Sequence, residues 1–282
     1  MSTVARRALP EHPKVVHTRG DLRLPEACRA LEGVDVLFQL GFQLWRPRGG
    51  GAKAEAEVES ANLDGTRNVL AARPGRVVLA SSAAVYGAWA DNRLPLSEHD
   101  PARPNRECPY AKQKLEAEKI CADSAESAAL RICAVLGPHA DPAVRGAAAA
   151  YRFLVPAASG LRQALQFLHE DDAAGALFQA GMSGATGVYN VATDDWLEPE
   201  QIAEISGGRV VRAPLRVLVG ASEVAFRARL AIAGADRAVL VGGPLALDPA
   251  RLRRDVGWRA RLDSEVVLGE FLGARGRSHR PA

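Results

Sequence analysis

Long apolar runs are missing from this chain. Across 282 residues, no stretch reaches the roughly 18 apolar positions that a membrane-spanning helix needs. The opening MSTVARRALPEHP lacks the apolar centre of a secretory signal. Cysteine is scarce: Cys28, Cys108, Cys121 and Cys133 follow no disulfide framework or metal-type spacing. The six histidines are scattered, with no two placed as ligands on one face, so no metal site is expected. Lysine is sparse too. Lys14, Lys53, Lys112, Lys114 and Lys119 stand against a large excess of arginine. With so much alanine and glycine, that bias suits GC-rich coding sequence better than a nucleic-acid surface. The net charge of +3 is small for this length, and the basic tail RGRSHRPA reads as a frayed end rather than a binding arm. No internal repeat is present. These absences predict reduced thiols, a cytoplasmic protein, and neither nucleic acid nor membrane as partner.

What is there suits a globular protein with a sizeable core, since 48% of the residues are apolar. The first half alternates short apolar runs with longer helical patterns, which predicts a parallel sheet wrapped by helices. STVAR and KVVHT read as strands, PEACRALEG as a helix, and VDVLFQLG as a buried strand. A long helix is expected through AEVESANLDGTRNVLAAR, then the strand GRVVLASS and a helix opening at Pro109. AALRICAVLG reads as one further strand ending at Gly137-Pro138. Beyond it come ALQFLHEDD, a strand running into a helix capped by Glu170, Asp171 or Asp172, the strand GVYNVATDD, and the helix LEPEQIAEIS. LDPARLRRDVGW reads as a helix stopped at Gly257. The fold class expected is α/β, with residues 1–136 as one domain and 137–282 as a smaller lobe, strand 187–191 returning to the sheet.

The stretch CPYAKQKLEAEKI, residues 108 to 120, holds the most pointed pattern. Tyr110 and Lys114 are four apart and share one face of a helix. Glu116, Glu118 and Lys119 suit the exposed side, and Leu115 with Ile120 the core. By itself the pattern also fits an ordinary amphipathic helix. Gly49-Gly50-Gly51 lacks a Gly-Lys-Ser ending and reads as a surface loop rather than a phosphate cradle. His169, Asp171 and Asp172 read as a helix start rather than a metal cluster, and Trp258 as packing in the lobe.

LASSAAVYG followed by PYAKQKLEAEK, between residues 79 and 119, resembles the extended short-chain dehydrogenase/reductase family, which includes NAD-dependent epimerases and dehydratases. Further segments match in order: GDL (20–22), GVDVLFQLG (33–41), NLDGTRNVL (62–70), LRICAVLGP (130–138), LQFLHEDD (165–172), GVYNVA (187–192) and RLRRDVGW (251–258). The resemblance implies a Rossmann-like, doubly wound sheet with a smaller substrate lobe. It also implies an NAD(P)-dependent oxidoreductase or epimerase acting on an alcohol or carbonyl of a small molecule. Ser82, Tyr110 and Lys114 take the catalytic positions. A lysine ammonium favours the tyrosine phenolate, which can then exchange a proton with the substrate hydroxyl, and Ser82 would hold the same oxygen. The cofactor, NAD or NADP, would lie against Asp21 and Leu22, then Gly41, Phe42 and Gln43 at a strand end, and Ala80 and Ser81, with Tyr110 and Lys114 at its reactive end. Asn62 corresponds to a residue that orders internal water. Ala5 stands where an acid would grip the ribose, leaving Arg6 or Arg7 to meet a 2′-phosphate. The pattern is compatible with a homodimer.

Three departures bound these expectations. Ala83-Ala84 replaces the Asp-Glu pair of the dehydratases. Ala134 replaces an asparagine of the nucleotide-sugar epimerases, which points to a less polar or unassigned substrate. The family's first strand and its G-x-x-G-x-x-G turn have no counterpart, because residue 1 falls about where the second strand ends. The expectation is a chain truncated or misassigned at its start, weak in cofactor affinity and prone to aggregate through VDVLFQL. A binding protein that keeps the fold without the cofactor, or a non-redox enzyme reusing Tyr110, are the alternative readings.

Overall fold

The computed structural model describes residues 1–6, 13–47, 49, 51–231 and 233–273. Strands β1 (Ser2–Ala5), β2 (Val16–Arg19) and β3 (Val36–Gln39) come first. Helix α1 (Gly51–Ala71), strand β4 (Arg76–Ser82), helix α2 (Pro109–Ser124) and strands β5 (Ser127–Ile132) and β6 (Ala134–Leu136) follow. Next are helix α3 (Pro142–Ala149), strands β7 (Leu154–Ala158) and β8 (Phe167–His169), helix α4 (Glu170–Ser183) and strand β9 (Gly187–Val191). Apart from short 3₁₀ segments, the remaining described elements are α5 (Pro199–Ser206), β10 (Arg209–Ala213), α6 (Leu215–Arg227), α7 (Ala235–Ala238), α8 (Ala250–Val256) and α9 (Ser264–Leu272). The chain is an α/β protein.

A four-stranded sheet has the order β3-β4-β5-β9. β3 and β4 run parallel with Val36 opposite Arg76, so α1 is the crossover that a parallel pair requires. β1 pairs in parallel with β2, Ser2 opposite Val16. Two further parallel pairs are β6 with β8 and β10 with β7.

The chain divides into two compact units. The first comprises Met1–Ser81, Pro109–Leu130 and Leu177–Val188, and the second Ser82–Cys108, Arg131–Ala176 and Tyr189–Ala282. In the first, Leu37, Val69, Val77, Leu79, Ala117 and Cys121 form the core, with Val4, Leu22, Phe42, Ile120 and Val188 packed against it. Each fully buried Val or Leu here contributes roughly 1.5–3 kcal/mol. Helix α4 lies close to β3: a Cβ on Gly181 would stand 2.7 Å from the Phe38 ring. The core of the second unit is built from Leu136, Val155, Phe167, Leu197, Ile202, Leu268 and Leu272.

Two elements differ from expectation. AALRICAVLG is two strands rather than one. Cys133 separates them, its N–H donating to the Val191 carbonyl at 3.0 Å, and β6 pairs with β8 outside the four-stranded sheet. PEACRALEG forms a 3₁₀ helix over Pro25–Leu31, ended by Gly33 at φ 67°. LDPARLRRDVGW behaves as read: α8 stops at Gly257, which takes the left-handed conformation that glycine adopts without strain. Among the described residues no helix is long and apolar enough to cross a membrane. The Arg7 side of the cofactor expectation, Gly50 of the glycine run and the basic tail lie outside the described residues.

Candidate active site

Helix α2 turns one face into the first unit. Ala111, Lys114, Ala117, Glu118 and Cys121 are all buried there, following the three- and four-residue spacing of a helical stripe. Three of these five are small or apolar. Lys114 and Glu118 are charged, and burying a charge is costly unless it is matched. That makes the pair the chemical focus of the unit.

Lys114 is only 4% exposed. Its Nζ donates to the Ala80 carbonyl on β4 at 2.5 Å and sits 3.8 Å from the centre of the Phe42 ring, a cation–π contact. The Tyr110 ring centre lies 5.8 Å from the same nitrogen. Tyr110 and Phe42 meet edge to face with centroids 5.8 Å apart. Burial pushes the ammonium down to about 7 from its ordinary 10.5, against the upward pull of Glu118 and Cys121. An ammonium carries three donors, so the Ala80 carbonyl leaves N–H groups able to meet a ligand hydroxyl. Cys121, buried beside the same groups, is pushed up to about 11 and stays a thiol.

Glu118 overturns the reading of an exposed side chain. It is 6% exposed and accepts the hydroxyl hydrogen of Ser81. The signal lay in the spacing: Glu118 is four residues beyond Lys114 and eight beyond Tyr110, and so shares their face.

A cleft of about 150 Å³ lies at the ends of β1, β2 and β3. Asp21, Leu22, Gly41, Phe42 and Gln43 all line it, together with Ala5, Arg6, Gly20 and Asn62. Five residues singled out from the sequence for one role therefore border one cavity. Asn62 fixes its floor. Its Oδ1 accepts from the Gln43 N–H at 2.6 Å, while its amide donates to the Gln43 carbonyl at 3.2 Å and to Gln113 Oε1 at 2.8 Å. The loop carrying Phe42 is thus tied to both α1 and α2. Leu22 is held by Asn68, whose amide donates to its carbonyl at 2.8 Å. Gly41 lets the Leu22 side chain approach, since a Cβ there would stand 2.8 Å from Leu22 Cδ1. Asp21 takes a forked contact from Arg23, with Nη2 at 2.6 Å, and that guanidinium holds its carboxyl below the usual range. Phe42 belongs to both groups, lining the cleft and covering Lys114.

Ser82 opens the second unit. It is half-buried, and its Oγ accepts the Ala84 N–H at 3.2 Å as the start of a 3₁₀ turn over Ala83–Tyr86. Also in that unit, Asp172 is paired with Arg261 at 2.5 Å and Glu170 accepts from the His139 backbone and ring. Among the described residues no cluster of metal-ligating side chains is found. Trp258 is buried.

A family model described as NAD dependent epimerase/dehydratase family matches residues 3–192. The chain is similar to an uncharacterized protein of Mycobacterium tuberculosis, 25% identical over 272 residues, which span 92% of this chain and 71% of the relative. In structure it is similar to the UDP-glucose 4-epimerase of Thermus thermophilus in complex with NAD. That match has a TM-score of 0.70 and 21% identity, and covers 98% of this chain and 91% of that one. RMD from Pseudomonas aeruginosa complexed with NADPH superposes with a TM-score of 0.67 at 21% identity, over 94% of this chain and 91% of the other. At such identities the structural likeness is one of fold.

Proposed function

The chain belongs to the NAD dependent epimerase/dehydratase family, and from that premise we propose that it is an NAD(P)-dependent oxidoreductase or epimerase. Its substrate would be a small molecule carrying an alcohol or carbonyl group. The observation that carries this reading is the buried Lys114 ammonium, held by the Ala80 carbonyl between Phe42 and Tyr110. Proteins of like fold solved with NAD and with NADPH support a use for such a cation beside a dinucleotide.

Residues 1–136 are the proposed dinucleotide-binding part, and residues 137–282 the main source of substrate contacts. The residues present fit a dinucleotide on two counts. The cleft lies at strand ends, where open sheets take nucleotides, and Lys114 keeps ammonium donors beyond its one carbonyl partner. Asp21, Leu22, Gly41, Phe42 and Gln43 would bind the cofactor along the cleft, and Ala80, Ser81, Tyr110 and Lys114 at its reactive end. A bound nicotinamide supplies hydride acceptance or donation at the substrate carbon.

This chain's residues move the proton. Tyr110 takes the hydroxyl hydrogen during oxidation and returns it during reduction. A phenol of ordinary pKa near 10 is a weak base at neutral pH, and the Lys114 ammonium one turn away favours its phenolate. The Ala80 carbonyl and the Phe42 ring keep the ammonium in place. Ser82 holds the substrate oxygen as its charge changes. Ala83 and Ala84 offer no second acid for eliminating water, which favours oxidoreduction or epimerisation over dehydration. Ala134 offers no amide for a sugar nucleotide, which favours a less polar substrate.

The cofactor form we propose is the phosphorylated one. Ala5 offers no carboxylate at the cleft, Arg6 lines it, and Arg23 already neutralises Asp21. Titration calorimetry with NAD, NADP and their reduced forms tests binding. Turnover of Tyr110→Phe tests the chemistry, with a loss of about 10²-fold or more expected. Undiminished turnover in that variant, on any substrate the parent converts, overturns the assignment.

A further inference from the structure

The buried face of α2 holds one charged group that the proposed chemistry leaves unused. Glu118 sits one turn beyond Lys114, on the same face, and both side chains are more than nine-tenths buried. Its carboxylate accepts the Ser81 hydroxyl hydrogen, and Ser81 directly follows Ala80, the residue whose carbonyl holds Lys114. Two neighbouring residues of β4 thus grip two neighbouring turns of α2. One holds the cation, the other the anion.

We propose that Glu118, anchored by Ser81, is a positioning residue whose buried negative charge, one turn along the same helix face, keeps Lys114 an ammonium beside Tyr110. The proposal rests on the reading of Tyr110 and Lys114 above and deepens it. It also gives Ser81 a role through its side chain that differs from contact with a cofactor: the hydroxyl is directed at Glu118.

The groups facing Lys114 can be named from each neighbouring element. On α2 they are Tyr110, Glu118 and Cys121. β4 presents the Ala80 carbonyl, and the segment after β3 presents the Phe42 ring. Cys121 is kept as a neutral thiol by burial, so Glu118 is the formal negative charge in this set. Against it stands the burial that drives Lys114 towards the neutral amine. A neutral Lys114 no longer favours the Tyr110 phenolate, so the acid–base group depends on Glu118 without touching it.

The test is direct because lysine is so sparse. Lys14, Lys53, Lys112 and Lys119 are exposed, and Lys114 is buried. Carbon-13 and nitrogen-15 labelling of the lysine side chains therefore gives five signals to follow by NMR, with Lys114→Met assigning the buried one. The expected result is that the signal lost in Lys114→Met titrates near 7. In Glu118→Gln, which keeps shape and a hydrogen-bond acceptor for Ser81, the buried lysine should titrate about one pH unit lower or more, roughly a tenfold change. Ser81→Ala should move it in the same direction by less. The alkaline shift of the kcat/KM profile for alcohol oxidation should follow in the same order.

A buried-lysine titration that stays put in folded Glu118→Gln overturns the proposal, because Glu118 then contributes no charge there. If Glu118→Gln fails to fold, Ser81→Ala is read alone, and no shift in it is the overturning result. If the titration moves but Tyr110→Phe turns over normally, the positioning role stands and the assignment of Tyr110 falls.

Discussion

Raising the pH from about 7 to 9 should stabilise this protein through Lys114. Burial lowers the amine to about 7 in the folded state, while an exposed lysine in the unfolded chain titrates near about 10.4. Between those values the unfolded chain carries a proton that the folded chain has released. Unfolding then takes up a proton, so stability rises with pH across that window, and the cost of burying the charge is fully present below about pH 7. At about 1.4 kcal/mol per pH unit the whole difference is at most about 5 kcal/mol. Roughly 2 kcal/mol of it falls between about pH 7 and 9. The side chain is 4% exposed, so solvent screening removes little of this. Buried Cys121, pushed up to about 11, works in the opposite direction, as do Cys28 and Cys133, which burial also pushes up. Cys28 and Cys133 act alike in the parent and in Lys114→Met, in which an unbranched apolar chain replaces the amine, and Cys121 only loses the downward pull of Lys114 and stays a thiol across this window. Urea unfolding of both proteins at the two pH values isolates the lysine as a difference of differences. The parent should gain roughly 2 kcal/mol relative to the variant. A difference that is flat, or that falls with pH, refutes the reasoning.

Other sites give sharper local tests. Arg6→Ala should lower the ratio of NADP to NAD affinity by about tenfold, since a charge-assisted contact to a phosphate is worth about 1.5–3 kcal/mol; calorimetry with both cofactors reads it, and an unchanged ratio removes Arg6 from the site. Asn62→Ala should free the loop that carries Phe42 and destabilise the fold by about 2–3 kcal/mol, because buried partners lose their bonds. Faster hydrogen exchange at the Gln43 amide is the accompanying signature, and unchanged protection there counts against the clamp. Gly181→Ala should cost about 1–3 kcal/mol by pressing on the Phe38 ring, measurable as a lower urea midpoint; an unchanged midpoint would mean that α4 shifts freely.

The parallel sheet, the long α1 helix and the α2 opening at Pro109 were legible because each carries a local signal, in period or in punctuation. The residues around the cleft were reached differently, through the resemblance to the family rather than through any local signal of their own. Glu118 was misread. A charge beside other charges in KLEAEK reads as solvent-facing, although its spacing from Lys114 and Tyr110 sets it on their buried face, where its partner Ser81 on β4 waits. The split at Cys133 was illegible for a related reason: RICAVLG is largely apolar, and what divides it is pairing with two different strands. β7 and β10 went unread because LVPAA contains a proline and RVVRA two arginines. Both are tolerated where strand pairing is limited to two.

The division of the chain has a consequence for how it is made. The first unit needs Leu177–Val188, which bring Gly181 against Phe38 and Val188 against the core. On the ribosome those residues emerge well after Leu130, with the interval occupied by Arg131–Ala176 of the other unit. At about 5–20 residues per second that delay is roughly 2 to 10 seconds. Throughout it the nascent sheet lacks the helix that covers Phe38. The first unit therefore cannot finish before much of the second has been translated, and no single cut in the chain releases either one whole. Partners that guard nascent apolar surface have a window on the first unit between the synthesis of Leu130 and that of Val188.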